Sequence, residues 1–311
     1  MIMKTAHKSL IYSVLALAIL LMATSCASDS KQGSAPKLTS NPYSGSGKPL
    51  ILAVYHPYPN FSTTVESAIR PLPGYSGWVD SRMERDMQRM RGAGINGILL
   101  SINPEDLADS IRFERISRFY DLAAIQQPSF KVALLMGGNN ELDIENVSQF
   151  IYRKGLANIP SALKLNGKTV VVFDKQIRLV QSVKQEDKDK TFDKAFCFRQ
   201  IGKDWPNLPD GKNIDRPVPP DGFVWVKTAD NHESPDSIGK QIINLQDSWS
   251  LPRGNGRNFA NRLRHALHDK ASIICIQSWN DFSDGSFMEP NMLDRNLMMT
   301  ILQKELGILA K

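Results

Sequence analysis

Residues 277–291 read Gln-Ser-Trp-Asn-Asp-Phe-Ser-Asp-Gly-Ser-Phe-Met-Glu-Pro-Asn, and they set three carboxylates, Asp281, Asp284 and Glu289, close together beside Trp279 and Asn280. The preceding run, Ser272 to Ile276, is apolar and β-branched, so it reads as a buried strand. The carboxylates therefore stand where a strand leaves a core. Two carboxylates in such a loop, near an aromatic, suit glycosidic bond chemistry. One protonates the leaving oxygen while the other stabilises or attacks the sugar. Asp281 and Asp284 are the candidate catalytic pair. Asp-x-x-Asp-Gly is also ordinary turn chemistry, so a capping role stands beside the catalytic one. Trp279 can stack on a pyranose or fill a core, with nothing in the sequence to choose between them. Asn280 and Glu289 complete the candidate substrate-binding set of this loop, with a structural carboxylate as the alternative, and the favoured one, for Glu289.

A chain that uses such a loop needs a scaffold of strands to hold it. Pro49 to Tyr55 reads as the first strand, and Tyr55 and His56 at its end are candidate substrate ligands, with a packed strand as the alternative. Asp80 to Ala93 reads as a helix with Met83, Met87 and Met90 along its core face. Ile95 to Ser101 is a strand, Ile111 to Ile125 a helix, and Lys131 to Met136 a strand stopped before Asn139 and Asn140. Ile144 to Lys154 is a helix and Thr169 to Phe173 a strand whose end carries Asp174, a further candidate ligand. Gln176 to Lys184 reads as a helix, and Ala195 to Ile201 and Gly222 to Thr228 as strands. The polar loop 205–220 lies between those two strands, and His232-Glu233 follows the second as a candidate mouth pair. Asp236 to Gln246 and Asn258 to Asp269 are helices, Ile273 to Ser278 is the last strand, and Met292 to Leu306 closes the chain as a helix. Repeated strand–helix alternation argues for a parallel sheet. About seven strands, the last carrying carboxylates, favour an α/β fold of the (β/α)8 TIM-barrel type as one domain over residues 49–311.

The 279–290 stretch resembles the Trp-Asn-Glu-Trp-x-Glu-Gly-x-x-x-Glu-Pro signature of glycoside hydrolase family 99 and its bacterial relatives. Here it stands as Trp279-Asn280-Asp281-Phe282-Ser283-Asp284-Gly285, then Glu289-Pro290. Ala53-Val-Tyr-His-Pro-Tyr58 looks like that family's first-strand tyrosine motif. The stretches from Met83 to Ser101 and from Phe150 to Asp174 are similar to two further segments. The resemblance implies a (β/α)8 barrel and a retaining, endo-α-mannosidase-like hydrolase. It makes Asp284 the acid/base and Asp281 the carboxylate that assists the substrate's 2-hydroxyl. Both replace the family's Glu.

The two ends of the chain carry other information. Lys4 and Lys8 precede the apolar run Leu10 to Met22, which is too short for a typical membrane span and reads as a signal peptide over residues 1–25. Ala23-Thr24-Ser25-Cys26 resembles a lipobox. It predicts acylation of Cys26 and anchorage of the protein in a bacterial cell envelope, periplasmic or at the cell surface. Residues 26–48, beyond that cysteine rich in Ser, Gly, Lys and Pro, read as a tether. The net charge of +6 is spread among acids and forms no basic block, which argues against nucleic acid as a partner. Cys197 and Cys275 are expected to be buried, unbridged thiols. No metal-ligand spacing, phosphate loop or Gly-x-Ser-x-Gly elbow occurs, so neither metal nor cofactor is expected. The expected partners are a glycan and, through the anchor, a membrane, with the protein a monomer. Two other readings stand beside the hydrolase: a glycan-binding surface lipoprotein with a degenerate site, and a polysaccharide-assembly protein of glycosyltransferase type. The export signal and the lack of a phosphate-cradling loop count against the second.

Overall fold

A computed structural model of the chain describes residues 48–57, 71, 72, 74, 78–126, 130–138, 141–174, 178–180, 195–201, 223–228, 254–282 and 286–309. Expectations for Cys26, the signal and tether, Tyr58, Asn139, Asn140, the 205–220 loop, His232-Glu233, the 236–246 helix and Asp284 lie outside these residues.

The strands are β1 (Leu50–Tyr55), β2 (Gly97–Ile102), β3 (Lys131–Met136), β4 (Glu141–Asp143), β5 (Lys164–Leu165), β6 (Lys168–Phe173), β7 (Arg178–Val180), β8 (Phe196–Gln200), β9 (Phe223–Lys227), β10 (Ile273–Gln277), β11 (Asn280–Asp281) and β12 (Ser286–Phe287). The helices are α1 (Asp80–Gly92), α2 (Pro104–Ala108), α3 (Ser110–Ala124), α4 (Ile144–Arg153), α5 (Arg257–His268) and α6 (Leu297–Glu305). Seven strands pair in parallel in the order β8-β6-β3-β2-β1-β10-β9, and β5 adds an antiparallel hairpin to β6. The first and last strands of the scaffold are thus neighbours, with Leu50 opposite Ile273 and Ala53 opposite Ile276.

Alternation along the strands sorts the apolar side chains into two sets. Ile51, Ala53 and Tyr55 of β1, with Ile98, Leu100, Val132, Leu134, Val171, Ile274 and Ile276, pack with Met83, Met87 and Met90 of α1, Phe119 of α3 and Phe259 of α5. This is the sheet–helix layer. The other set is Leu52, Val54, Leu99, Ala133, Leu135, Val170, Val172, Cys197, Trp225 and Cys275 together with a few neighbours, and among the described residues no helix contributes to it. These residues are nonetheless buried, Trp225 to 2% exposure. A sheet face with no helix over it stays dry only if the sheet curls and the face covers itself. The parallel sheet is therefore curled, with an apolar interior and helices outside. Gly97 serves this packing, because a Cβ there would run into the Lys131 carbonyl of β3 and the Leu52 side chain.

Local chemistry sets the helices. α1 has Asp80 in its first turn and Arg89 and Arg91 in its last, matching the helix dipole. Asp109 caps α3 by accepting from the Ile111 and Arg112 amides at 2.9 and 3.0 Å. Asn103, at the end of β2, starts α2 with Pro104 at the first helical position.

Most expected elements occur within a few residues of their expected bounds, and Lys131–Met136 matches in full. Of the helix expected over Gln176 to Lys184, the described residues are not helical. Arg178–Val180 is a strand there, pairing in parallel with Glu141–Asp143. The closing helix begins later than expected, at Leu297, because residues 292–296 form turns held by Asn291, whose Oδ1 accepts from the Leu293 and Asp294 amides. Cys197 and Cys275 are buried and form no disulfide, on non-adjacent strands, as the sequence implies.

Candidate functional site

The polar strand ends gather at the C-terminal edge of the curled sheet. Alternation places Ser101, Arg199 and Gln277 on the interior side, in line with Leu99, Cys197 and Cys275. One step past their strands, His56 and Asp174 continue the same parity as Val54 and Val172. The interior thus changes from apolar to polar at this edge. Ser101, Arg199 and Gln277 are only partly buried there. Arg199 and Gln277 carry no motif in the sequence, and only the strand parity exposes them.

The described residues of the loop after β10, which include Asp281, are held by several identifiable contacts. The Trp279 amide donates to Val54 O at 2.7 Å, extending the β1–β10 pairing. The Trp279 carbonyl accepts from both Met288 and Glu289 amides, at 2.9 and 2.8 Å, so the loop returns to its own start. β11 and β12 pair antiparallel, and Phe282 stacks on Phe287 with centroids 4.5 Å apart. The Ser278 hydroxyl accepts from the Asp281 amide at 2.8 Å and donates to the Ser286 carbonyl.

Asn280 joins this loop to β1. It is fully buried, its Oδ1 accepts from the His56 amide at 2.8 Å, and its Nδ2 donates to the His56 carbonyl at 2.8 Å. The side chain thus replaces a strand neighbour for one residue, satisfying both backbone groups of His56. The consequence for chemistry is direct. His56 Nε2 lies 3.5 Å from Asp281 Oδ2, with the two side chains 29% and 18% exposed. Residues from the first and last strands of the scaffold therefore meet as an imidazole–carboxylate pair.

The other expected ligands are placed differently. Tyr55 is fully buried on the helix side of β1, and its hydroxyl donates to Asp86 Oδ2 of α1 at 2.9 Å. Arg82, one turn earlier on α1, lies 3.5 Å from the same carboxylate oxygen. Tyr55 is therefore a core group and not a substrate ligand in this arrangement, because alternation sends it away from His56. Trp279 is also fully buried and belongs to the helix-side core, so neither of its faces is open to a sugar. Asn280 has its amide oxygen and a nitrogen proton committed to His56. Glu289 is fully buried, and burial pushes its carboxyl well above the usual carboxylate range. Tyr55 is pushed up as well, chiefly by burial and then by the negative charge of Asp86, with Glu289 contributing more weakly. Burial also raises Asp86, against the opposing pull of Arg82. Asp174 stands at the end of β6, its amide donating to Met136 O at 2.9 Å, with β3 and β2 between it and His56. Of the expected residues, then, the structure brings together His56, Asn280 and Asp281. It sets Tyr55, Trp279 and Glu289 behind them as support and leaves Asp174 across the sheet edge. Arg82, Asp86 and Ser278 were not expected to matter. Ser278 had a signal in its spacing to Asp281, since a hydroxyl three residues before an amide is a common turn device.

No family model matches the chain, and no curated protein matches it. Solved structures do. The GH99 endo-α-mannosidase from Bacteroides thetaiotaomicron, in complex with Bis-Tris propane, superposes with a TM-score of 0.57 at 12% identity, covering 83% of this chain and 96% of that one. A second structure of the GH99 endo-α-mannosidase from that organism gives 0.52 at 12% identity, over 84% and 98%. A glycoside hydrolase-like protein gives 0.51 at 15% identity, over 89% and 97%. The chain is similar in fold to these glycoside hydrolases. On that fold, the His56–Asp281 pair occupies the edge where the strands of a parallel α/β protein end, which is where such folds place their chemistry.

Proposed function

We propose that this protein is a glycoside hydrolase that cleaves an α-linked, mannose-containing glycan from within the chain, with retention. The observation that carries the reading is Asp281, held by Ser278 and facing His56 at the strand-end edge of a GH99-type fold. In this reading the seven parallel strands belong to a closed (β/α)8 barrel. Asp284, three residues on from Asp281 in the same loop, is the general acid for the leaving oxygen. Asp281 assists attack at the anomeric carbon. Asp174 and Arg199 bind sugar hydroxyls from the far side of the edge. Residues 1–25 are removed on export, and Cys26 carries the lipid that holds residues 49–311 at the cell envelope through a tether.

The test is a panel of α-mannans and α-glucans offered to the parent and to Asp284→Asn, with reducing ends and binding measured together. Hydrolysis by the parent and not by the variant supports the reading. Binding by both without hydrolysis favours a second reading, a glycan-binding lipoprotein. Its support is the pair of shorter Asp side chains where the resembling family carries Glu, together with the commitment of Trp279 and Asn280 to the scaffold. Neither binding nor hydrolysis removes both.

A further inference from the structure

The proposed hydrolase reaction needs a group that takes a proton from the attacking hydroxyl, and the geometry points to His56. This inference rests on the hydrolase reading and assigns a residue within it. We propose that Asp281 acts through His56, and that the imidazole is the base that meets the substrate.

Three observations carry the assignment. First, His56 is the more open of the pair, at 29% side-chain exposure against 18% for Asp281. A hydroxyl arriving from solvent meets the more exposed ring more readily than the less exposed carboxylate. Second, the ring presents Nε2 to Asp281 Oδ2 at 3.5 Å. That distance is long for a hydrogen bond and within ion-pair range, and catalytic contacts often tighten only once substrate is bound. A ring that carries its proton on Nε2, toward the carboxylate, has its lone pair on Nδ1. Third, the ring is mounted on a fixed backbone. Asn280 holds both the amide and the carbonyl of His56 at 2.8 Å, and Ser278 holds the amide of Asp281 at 2.8 Å. Both members of the pair are thus positioned by one loop, so little movement is needed to close the contact between them.

The step balances as follows. Nδ1 takes the proton of the substrate's 2-hydroxyl, and the O–H electron pair stays on oxygen. That oxygen attacks the anomeric carbon as the bond to the departing sugar oxygen breaks, closing a 1,2-anhydro ring with inversion. The departing oxygen keeps that electron pair and takes a proton from the general acid. Water, giving a proton to that acid's conjugate base, then opens the ring at the anomeric carbon with a second inversion, while the imidazolium returns its proton to the 2-oxygen, so the overall outcome is retention. Asp281 remains a carboxylate and stabilises the imidazolium, as the carboxylate does in other His-based sites.

The experiment uses the full protein and an α-mannan that the parent hydrolyses. His56→Ala should lose at least about a hundredfold in rate, the usual worth of a positioned base. Added imidazole should restore part of it, because the site of the missing ring is open to solvent. His56→Gln, which can still bond Asp281 but takes no proton, should stay as slow as the alanine variant. The unfolding temperature of His56→Ala should remain close to the parent's, since Asn280 grips the backbone and not the ring. A purely structural histidine gives no imidazole rescue. Loss of activity without rescue, or a glutamine variant that keeps the parental rate, overturns the assignment while leaving the hydrolase reading in place. A parent inert on every α-mannan and α-glucan overturns both.

Discussion

Replacing Asn280 by alanine tests the scaffold beneath the site, and its cost can be worked from the structure. The side chain is fully buried and makes two hydrogen bonds of 2.8 Å to the backbone of His56. Truncation leaves an amide and a carbonyl without those partners. Each orphaned group costs about 1–3 kcal/mol when buried. His56 is partly exposed, so water recovers some of that, while the vacated volume adds a cavity cost. The sum is about 2–4 kcal/mol. For a domain of this size each kcal/mol moves the unfolding temperature by about 2–4 °C, so the expected fall is about 4–16 °C. Thermal unfolding followed by tryptophan fluorescence reads it, with Trp279 next to the change. Asn280→Asp sharpens the test. One oxygen can still accept from the His56 amide, but an ionised second oxygen faces the His56 carbonyl. That variant should be destabilised at neutral pH and recover as acidification protonates it and restores a donor. A change of less than about 2 °C in Asn280→Ala would refute the clamp and reopen Asn280 as a substrate ligand.

Other consequences follow from the same geometry. Tyr55→Phe removes the hydroxyl that donates to Asp86 and should cost about 1–3 kcal/mol in urea unfolding, because Asp86 is fully buried. An unchanged stability with lost activity would instead return Tyr55 to the substrate. Glu289 has its folded pKa raised by burial, so the folded state keeps a proton that the unfolded chain releases near the ordinary glutamate value of about 4.3. Its stability contribution is complete below that value and declines as pH rises towards the raised one. Glu289→Gln should therefore gain on the parent between acid and neutral pH, and a difference in stability that does not vary with pH would contradict this. Cys26→Ser should abolish labelling by radioactive palmitate in a bacterial host and move the protein from the membrane fraction; retained label would refute the anchor.

The strands were legible because continuous apolar runs bounded by turns have few other uses, and Lys131–Met136 shows this at its plainest. Which way their side chains face was not legible. Leu50 to Tyr55 is apolar at every position, so the sequence offers no alternation to tell its two faces apart. Tyr55 and His56 therefore looked like equal candidates, and only the packed sheet shows that one meets Asp86 and the other Asp281. Arg82 and Asp86 carry no sequence pattern that marks them as core, yet both are buried near Tyr55, where their ion pair offsets part of the burial cost. Gln176 to Lys184 has apolar spacing that suits a helix or a strand, and pairing with Glu141–Asp143, far off in sequence, decides it. The 277–291 loop stood out as a candidate site because of its carboxylates. Its division of labour was not legible, since Trp279 and Asn280 serve the scaffold through contacts with β1 that no local pattern encodes.

The central claim is that Asp281 belongs to a working glycosidic centre. Its most direct test compares the parent with Asp281→Asn on the α-linked glycan the parent cleaves best, measuring hydrolysis and binding in the same samples. The account predicts that Asp281→Asn binds the glycan as the parent does and cleaves it at least about a hundredfold more slowly. Equal rates in the two proteins would contradict it.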